Sequence, residues 1–261
     1  MHRLTASGAG GHRSSPLLVS TRNKTRKRLV GEESGVINNA IEQQGFHVIP
    51  DVLSPTEARS IISSLNQSEM RRSKAGLRHV LRHPSVATLA RDPRLTGIAR
   101  SVLGSGAMPF RATLFDKSPQ ANWLVVWHQD TALPLRRRLD ISGWGSWSEK
   151  EGVIYAHAPA SALKGVLAMR VHLDESSLQN GPLRVLPATH AQGILSDDDI
   201  QRLAVQIAPV DCLASQGAVL AMRPLLVHAS SKSSSENSRR VLHIEYAASV
   251  TLEGGLQLAI T

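Results

Sequence analysis

Apolar residues follow two different spacings along the chain, and the change falls near Gly104. From Gly35 to Gly104 they recur at intervals of three and four, the period of helices with one buried face. In "SPTEARSIISSL", Ser54 stands at an N-cap, Pro55 at the first helical position and Glu57 three residues after the cap. Ile61, Ile62 and Leu65 then supply the apolar face. "IEQQGFHVIPDVL" predicts a helix end broken at Gly45 and a short strand after it, and "HPSVATLARDPRLTGIARSVLG" predicts two helical pieces closed by Gly104. From Pro109 onward the apolar runs are short, β-branched and split by Pro, Gly, Asn and Ser: "RATLFDK", "NWLVVWHQD", "KGVLAMRVHLDE", "GPLRVLPAT", "GAVLAMRPLLVHAS" and "RRVLHIEYAAS". Many short strands with turn signals between them predict a β-sandwich or barrel, with the helices packed outside it. No repeat or linker interrupts residues 35–261, which read as a single domain behind a tail over 1–34.

Composition narrows the class. With 41% hydrophobic and 20% charged residues in 261, the chain is long enough for one generous core, and no apolar run reaches the length of a membrane span. The single Cys212 excludes an internal disulfide framework and any multi-cysteine zinc site, and suits a reducing compartment such as the cytoplasm. The net charge of +9 is local: Arg3, Arg13, Arg22, Lys24, Arg26, Lys27 and Arg28 lie in a stretch without acidic residues, and without them 23 basic residues face 21 acidic ones. That tail reads as a disordered leader, as a polyanion-binding arm or as an Arg/Ser-rich organelle-targeting peptide, and it lacks the apolar segment of a secretory signal. A nearly neutral body argues against nucleic acid as the main partner and leaves the oligomeric state open.

The candidate chemistry begins in "NWLVVWHQDTALPL". Side chains two apart on a strand share a face, so His128 and Asp130 aim at the same space. Burying such a pair uncompensated costs about 2–7 kcal/mol for one polar group alone. A hydrogen-bonded pair capping a strand end is one reading, and two of three metal ligands is the other. "MRPLLVHASS" repeats the pattern, an apolar run ending in a histidine, His228. Two histidines and one carboxylate with open positions form the facial triad of non-haem Fe(II) oxygenases. Arg239, eleven residues later at the start of the next β run, is a fixed cation suited to holding a carboxylate.

"WHQD", "NGPLRVLPATH" and "HASSKSSSENSRRVLHIEYA", with "GFHVIPDVLSPTEA" upstream, resemble the phytanoyl-CoA dioxygenase family of Fe(II)- and 2-oxoglutarate-dependent oxygenases, from about Gly45 to about Ala248. The resemblance implies a mainly β fold, a double-stranded β-helix (jelly-roll, cupin-like) core with flanking N-terminal α-helices. It implies Fe(II), 2-oxoglutarate and O2 as cofactor and cosubstrates, and hydroxylation of a small-molecule substrate with release of succinate and CO2. By residue, it implies His128, Asp130 and His228 as iron ligands, Arg239 on the distal carboxylate of 2-oxoglutarate, and Ser230 beside it. Gln129 occupies a place that contacts the cosubstrate in the family, although its strand parity turns it away from the metal face. Related halogenases carry a small residue where Asp130 stands, so the carboxylate favours hydroxylation.

Two departures stand out. The family's tryptophan ahead of the "NG" turn is Arg170 here, either a second cation for 2-oxoglutarate or an anionic substrate, or a structural partner of Asp174 or Glu175. Ala188 replaces the glycine of the family's turn before His190, which reads as a turn anchor. His172 and His243 read as filling the sheet. The segment from Thr131 to Ala160 is long and rich in Gly, Pro and Trp, the composition of a loop lid over the site. Trp144 and Trp147 are candidates for stacking on substrate or for anchoring that loop. Arg111, Thr113, Lys117 and Asn122 lie on or near the strand before the ligands, with Thr113 expected beside the cosubstrate and the other three beside substrate. Two further functions remain open: a metal- or ligand-binding protein of the same fold without turnover, and a nucleic-acid-directed oxygenase using the tail.

Overall fold

The structure is a computed structural model that describes residues 35–70, 73 and 76–261. The basic tail over 1–34 lies outside the described residues, so the expectations for it are not addressed. Ile37–Thr261 form one compact unit.

The helices form where the capping chemistry places them. The first, α1 (residues 35–44), ends at Gly45. Gly45 has a φ of +85°, and a Cβ at that position would lie 2.5 Å from the His190 ring, so the site has room for no side chain. In α2 (Pro55–Asn66) the Ser54 amide donates to Glu57 Oε2 (2.7 Å) and the Glu57 amide to Ser54 Oγ (3.3 Å). Ala58, Ile61 and Leu65 are its buried stripe. After α3 (Pro84–Ala90), α4 (Pro93–Leu103) starts on Asp92, whose carboxylate accepts from the Arg94 amide (2.8 Å). The Arg94 guanidinium also reaches Glu57 (2.7 Å) and so ties the start of α4 to the start of α2.

Among the described residues, all the strands within sheets pair antiparallel. Six of them lie side by side in one sheet, in the order β1 (Phe46–Ile49), β11 (Val219–Met222), β8 (Val166–His172), β13 (Arg239–Ala247), β3 (Met108–Lys117) and β2 (Gly76–Leu77). A second sheet holds four, in the order β10 (Val210–Cys212), β9 (Leu183–Val185), β12 (His228–Ser230) and β4 (Val125–His128). The architecture is mainly β, a double-stranded β-helix core with N-terminal helices on its flank. "GAVLAMRPLLVHAS", a single apolar run in the sequence, is two strands on different sheets joined by a turn at Arg223–Leu226. α5 (Ala160–Lys164) leads into β8, and α6 (Asp197–Gln206) lies near β4.

The larger sheet has two unlike faces. On β13, Leu242, Ile244 and Tyr246 join Ala112 and Leu114 of β3 and Leu167, Met169 and Val171 of β8 in the core under the helices. The alternate positions, including Arg239, His243 and Glu245, line a cavity together with Arg111, Thr113, Phe115 and Lys117 of β3. The period of two in a strand thus assigns packing to one face and chemistry to the other.

The expected loop lid over Thr131–Ala160 is instead mostly a third sheet, in the order β5 (Ala132–Leu135), β7 (Val153–His157) and β6 (Gly145–Lys150). Its backbone groups are satisfied by one another and by Gln257 and Ala259, through Arg136 N–H to Gln257 O (2.9 Å) and Ala259 N–H to Pro134 O (3.0 Å). No helix among the described residues is long and apolar enough to cross a membrane.

The buried Tyr246 hydroxyl donates to Ala90 O (2.7 Å) and fastens β13 to α3. Tyr246→Phe is expected to lower stability by about 1–2 kcal/mol. Differential scanning calorimetry should then show a fall in Tm of roughly 2–8 °C, and an unchanged Tm would mean that this bond contributes nothing.

Candidate active site

Two histidines a hundred residues apart become neighbours through strand pairing. β12 lies antiparallel to β4 with His228 opposite His128, and their rings are 4.2 Å apart, centroid to centroid. Asp130 follows the end of β4, its amide held by Pro224 O (3.0 Å). Its two carboxylate oxygens face His128 Nε2 (3.7 Å) and His228 Nε2 (3.6 Å). Each imidazole has Nδ1 against a backbone carbonyl two residues back, Val126 O and Leu226 O, both at 2.8 Å. A carbonyl only accepts, so Nδ1 carries a proton and Nε2 is the nitrogen turned toward the carboxylate.

Electrostatics agree with this assignment. Burial lowers the pKa of His228 to about 4, against the smaller opposing pull of Asp130, so it is neutral at physiological pH. Burial would raise the Asp130 carboxyl, but His228, His243, His128 and Arg111 outweigh it and hold it below the usual carboxylate range. One ligand atom from each of His128, Asp130 and His228 lies within 4.8 Å of the others. Two imidazole nitrogens and one carboxylate, converging with one side open to the cavity, are a donor set that fits a divalent transition-metal ion.

The cavity, about 360 Å³, holds a concentration of cations behind this triad. Arg239 is the register partner of Lys117 across β13 and β3. Arg239 Nε donates to Asn180 O (3.1 Å), while its Nη1 is buried without a partner. Lys117 Nζ donates to Ser230 Oγ (2.9 Å) and Ser231 O (2.5 Å), and Ser230 Oγ donates on to Gly181 O (2.9 Å). Burial, then the charges of Arg239 and Arg170, push Lys117 down to about 8, and burial with Arg170 pushes Arg239 down to about 9. Arg170 lies across from His243 on β13, with Nη1 3.3 Å from His243 Nδ1 and its guanidinium over the Phe115 ring. Asp174, one of its two expected structural partners, is taken by Arg240 (2.7 and 2.9 Å).

Several cavity residues escape a reading of the sequence. Glu245 is buried and paired with Arg111, which also donates to Ala132 O (3.1 Å) and lies over the Tyr155 ring. Burial works against both charges, and the pairing keeps Arg111 protonated. His243, expected to fill the sheet, lines the cavity between Arg170 and Glu245. Strand parity counted from Arg239 puts His243 and Glu245 on the same face and was the available signal. Lys150, Tyr155 and His157 line the cavity from the third sheet, whose formation no periodicity announced.

Other expected residues lie elsewhere. Asn122 is not a cavity residue: its amide bonds both ways with the Ser233 backbone (2.7 Å each) and joins two loops. Trp144 is buried among Leu133, Leu135, Ala156 and Leu256, and Trp147 packs on that cluster under Arg138, so both anchor the third sheet and neither lines the cavity. Gln129 borders the cavity, but its amide is consumed by Gly193 O (2.8 Å), Leu225 O (2.7 Å) and the Leu195 amide (2.9 Å), where it braces two loops. Thr113, Arg111 and Lys117 do line the cavity.

The family profile of phytanoyl-CoA dioxygenase (PhyH) matches residues 41–241. The chain belongs to that family. A curated relative, L-proline trans-4-hydroxylase of Streptomyces griseoviridis, is 25% identical over 186 residues, 61% of this chain, and the chain spans only 62% of that relative's length. Among solved structures, EctD from S. alaskensis with 2-oxoglutarate and 5-hydroxyectoine superposes with a TM-score of 0.63 at 19% identity, over 80% of this chain and 74% of that one. SnoN, described as a non-heme alpha-ketoglutarate-dependent epimerase from nogalamycin biosynthesis, gives 0.62 at 16% identity over 85% and 84%. These two likenesses establish a shared fold.

His172, two residues beyond Arg170 on β8, is buried with neither ring nitrogen partnered, and burial, reinforced by Arg170 and Arg239, lowers its pKa from 6.5 to about 3. The unfolded chain therefore binds a proton below pH 6.5 that the folded chain refuses until about pH 3. Stability is full above that window and falls through it by up to about 1.4 kcal/mol per pH unit. His172→Leu should flatten the acid limb of Tm against pH just below 6.5 relative to wild type; identical slopes would refute the assignment.

Proposed function

We propose that the protein is an Fe(II)- and 2-oxoglutarate-dependent oxygenase that hydroxylates a small-molecule substrate and releases succinate and CO2. The observation that carries this reading is one cavity containing both a preformed His128–Asp130–His228 donor set and the buried, unneutralised cation Arg239. Family membership supports it, as does a relative named as a hydroxylase of an amino acid.

In this reading His128, His228 and Asp130 would hold the iron. Arg239, with Ser230 and Lys117 beside it, takes the distal carboxylate of 2-oxoglutarate. When bound, iron and 2-oxoglutarate supply an oxidation by O2 in which the cosubstrate is decarboxylated and a substrate C–H bond is hydroxylated. The protein contributes geometry and exclusion of water. The Val126 and Leu226 carbonyls hold the imidazoles in the ligating tautomer, and Gln129 holds the loops behind them. The Arg111–Glu245 pair and Tyr155 line the wall left for substrate, and Thr113 stands on β3 where it would border the cosubstrate. The carboxylate at position 130 fills the place where halogenases keep a small residue, which favours hydroxylation. The buried, unbridged Cys212 supports a reducing compartment such as the cytoplasm as the setting of this reaction.

The test is a screen of candidate small molecules for O2-dependent succinate release by protein loaded anaerobically with Fe(II) and 2-oxoglutarate. Coupled succinate formation is expected with the true substrate, and His128→Ala and Asp130→Ala should each reduce it to the iron-free background. Coupled turnover retained in both variants would sink the metal assignment.

A further inference from the structure

The inner face of the large sheet carries more buried positive charge than one distal carboxylate can neutralise. Lys117, Arg170 and Arg239 are 1%, 7% and 3% exposed, and none is ion-paired with a carboxylate among the described residues. The remaining arginine of that face, the partly buried Arg111, is paired with Glu245. Isolated buried cations cost several kcal/mol each unless an anion accompanies them. The surplus therefore points to a ligand carrying negative charge at more than one place.

The cations are arranged at two ends. Arg239 and Lys117 face one another in register, at the start of β13 and the end of β3. Arg170 is opposite His243, four residues further along β13, on the side where His243 approaches Glu245 and influences Asp130. Its plane is set by the Phe115 ring, 5.3 Å from the guanidinium, and by His243 Nδ1, and its Nε has no partner. Of the two neighbours that would give it a structural role, Asp174 belongs to Arg240, and Glu175 is exposed while Arg170 is buried.

Resting on the oxygenase reading, we infer that Arg170 is a second anion anchor, which binds the carboxylate of 2-oxoglutarate nearest the metal site while Arg239 and Lys117 bind the far one. A guanidinium offers a paired donor edge suited to a carboxylate. The cosubstrate is then gripped at both ends by arginine, and the metal-side carboxylate has a fixed orientation before substrate arrives.

The experiment is anaerobic calorimetry on Mn(II)-loaded protein with three probes: 2-oxoglutarate, 2-oxopentanoate (which lacks the far carboxylate) and 4-oxopentanoate (which lacks the near one), the latter two also measured by displacement of 2-oxoglutarate. Arg170→Gln should weaken 2-oxoglutarate about tenfold or more, weaken 2-oxopentanoate by a similar factor and leave 4-oxopentanoate unchanged. Arg239→Gln should do the reverse with the two truncated acids. Arg170→Lys, which keeps the charge without the fork, should fall between, and its circular dichroism and Mn(II) affinity check that the fold is intact. If Arg170→Gln binds 2-oxoglutarate within about twofold of wild type while Arg239→Gln does not, the anchor is refuted and the oxygenase reading stands. Equal loss of both truncated acids in Arg170→Gln also refutes it. Failure of the wild type to bind 2-oxoglutarate at all would overturn both.

Discussion

The register of β12 on β4 is the constraint on which the site depends. With His228 opposite His128, both imidazoles leave the sheet on the same face and meet the carboxylate two residues beyond. A slip of one residue would turn His228 into the packed layer and bring Ala229 to the cavity. The register is held from both sides, because β12 also pairs with β9, where His228 lies opposite Val185 and Ser230 opposite Leu183. The apolar neighbours Val185, Leu186 and Val227 are fully buried and penalise such a slip. What holds the histidines in place is thus largely hydrophobic packing several ångströms from them.

The same alternation explains how so much charge is tolerated inside the sheet. Every cation on the inner face has an apolar residue near it in sequence that packs under the helices: Leu114 and Ala112 between the polar positions of β3, Leu242 and Ile244 between those of β13, Met169 and Val171 around Arg170. The helix-side core offsets the desolvation of the cavity side, strand by strand. This is also why α2, α3 and α4 matter to chemistry they never touch.

Much of this was legible in the sequence. Ser54, Pro55 and Glu57 announce α2 by capping chemistry alone, and Gly45 and Gly104 mark helix ends where expected. The triad and Arg239 were visible because two apolar β runs end in histidine, a third begins with arginine, and these segments together resemble the family's motifs; the cavity brings them together. The third sheet was not legible: "GSWSEK" is polar and mostly exposed, while "ALPL" contains a proline and is buried along nearly its whole length, so neither strand shows a period of two. Of the two roles open to Trp144 and Trp147 in the sequence, stacking on substrate or anchoring the segment, the structure shows the second: they are the apolar base of the sheet. Asn122 misled for another reason, because an amide side chain serves loop bracing as readily as ligand contact, and only the partners distinguish the two; Gln129, turned from the metal face by strand parity, braces loops in the same way. Glu245 and His243 were within reach of a simple parity count.

Both imidazoles of the triad are held by backbone carbonyls of their own strands. The chain's backbone therefore presets the direction in which both Nε2 atoms point. Such a preset centre, with two nitrogens, one carboxylate and an open side, has little means to reject one late first-row divalent ion in favour of another, whose affinities follow their own chemical order. The choice of metal then belongs to cellular supply, and a wrong ion would occupy the site without disturbing the fold and leave it silent.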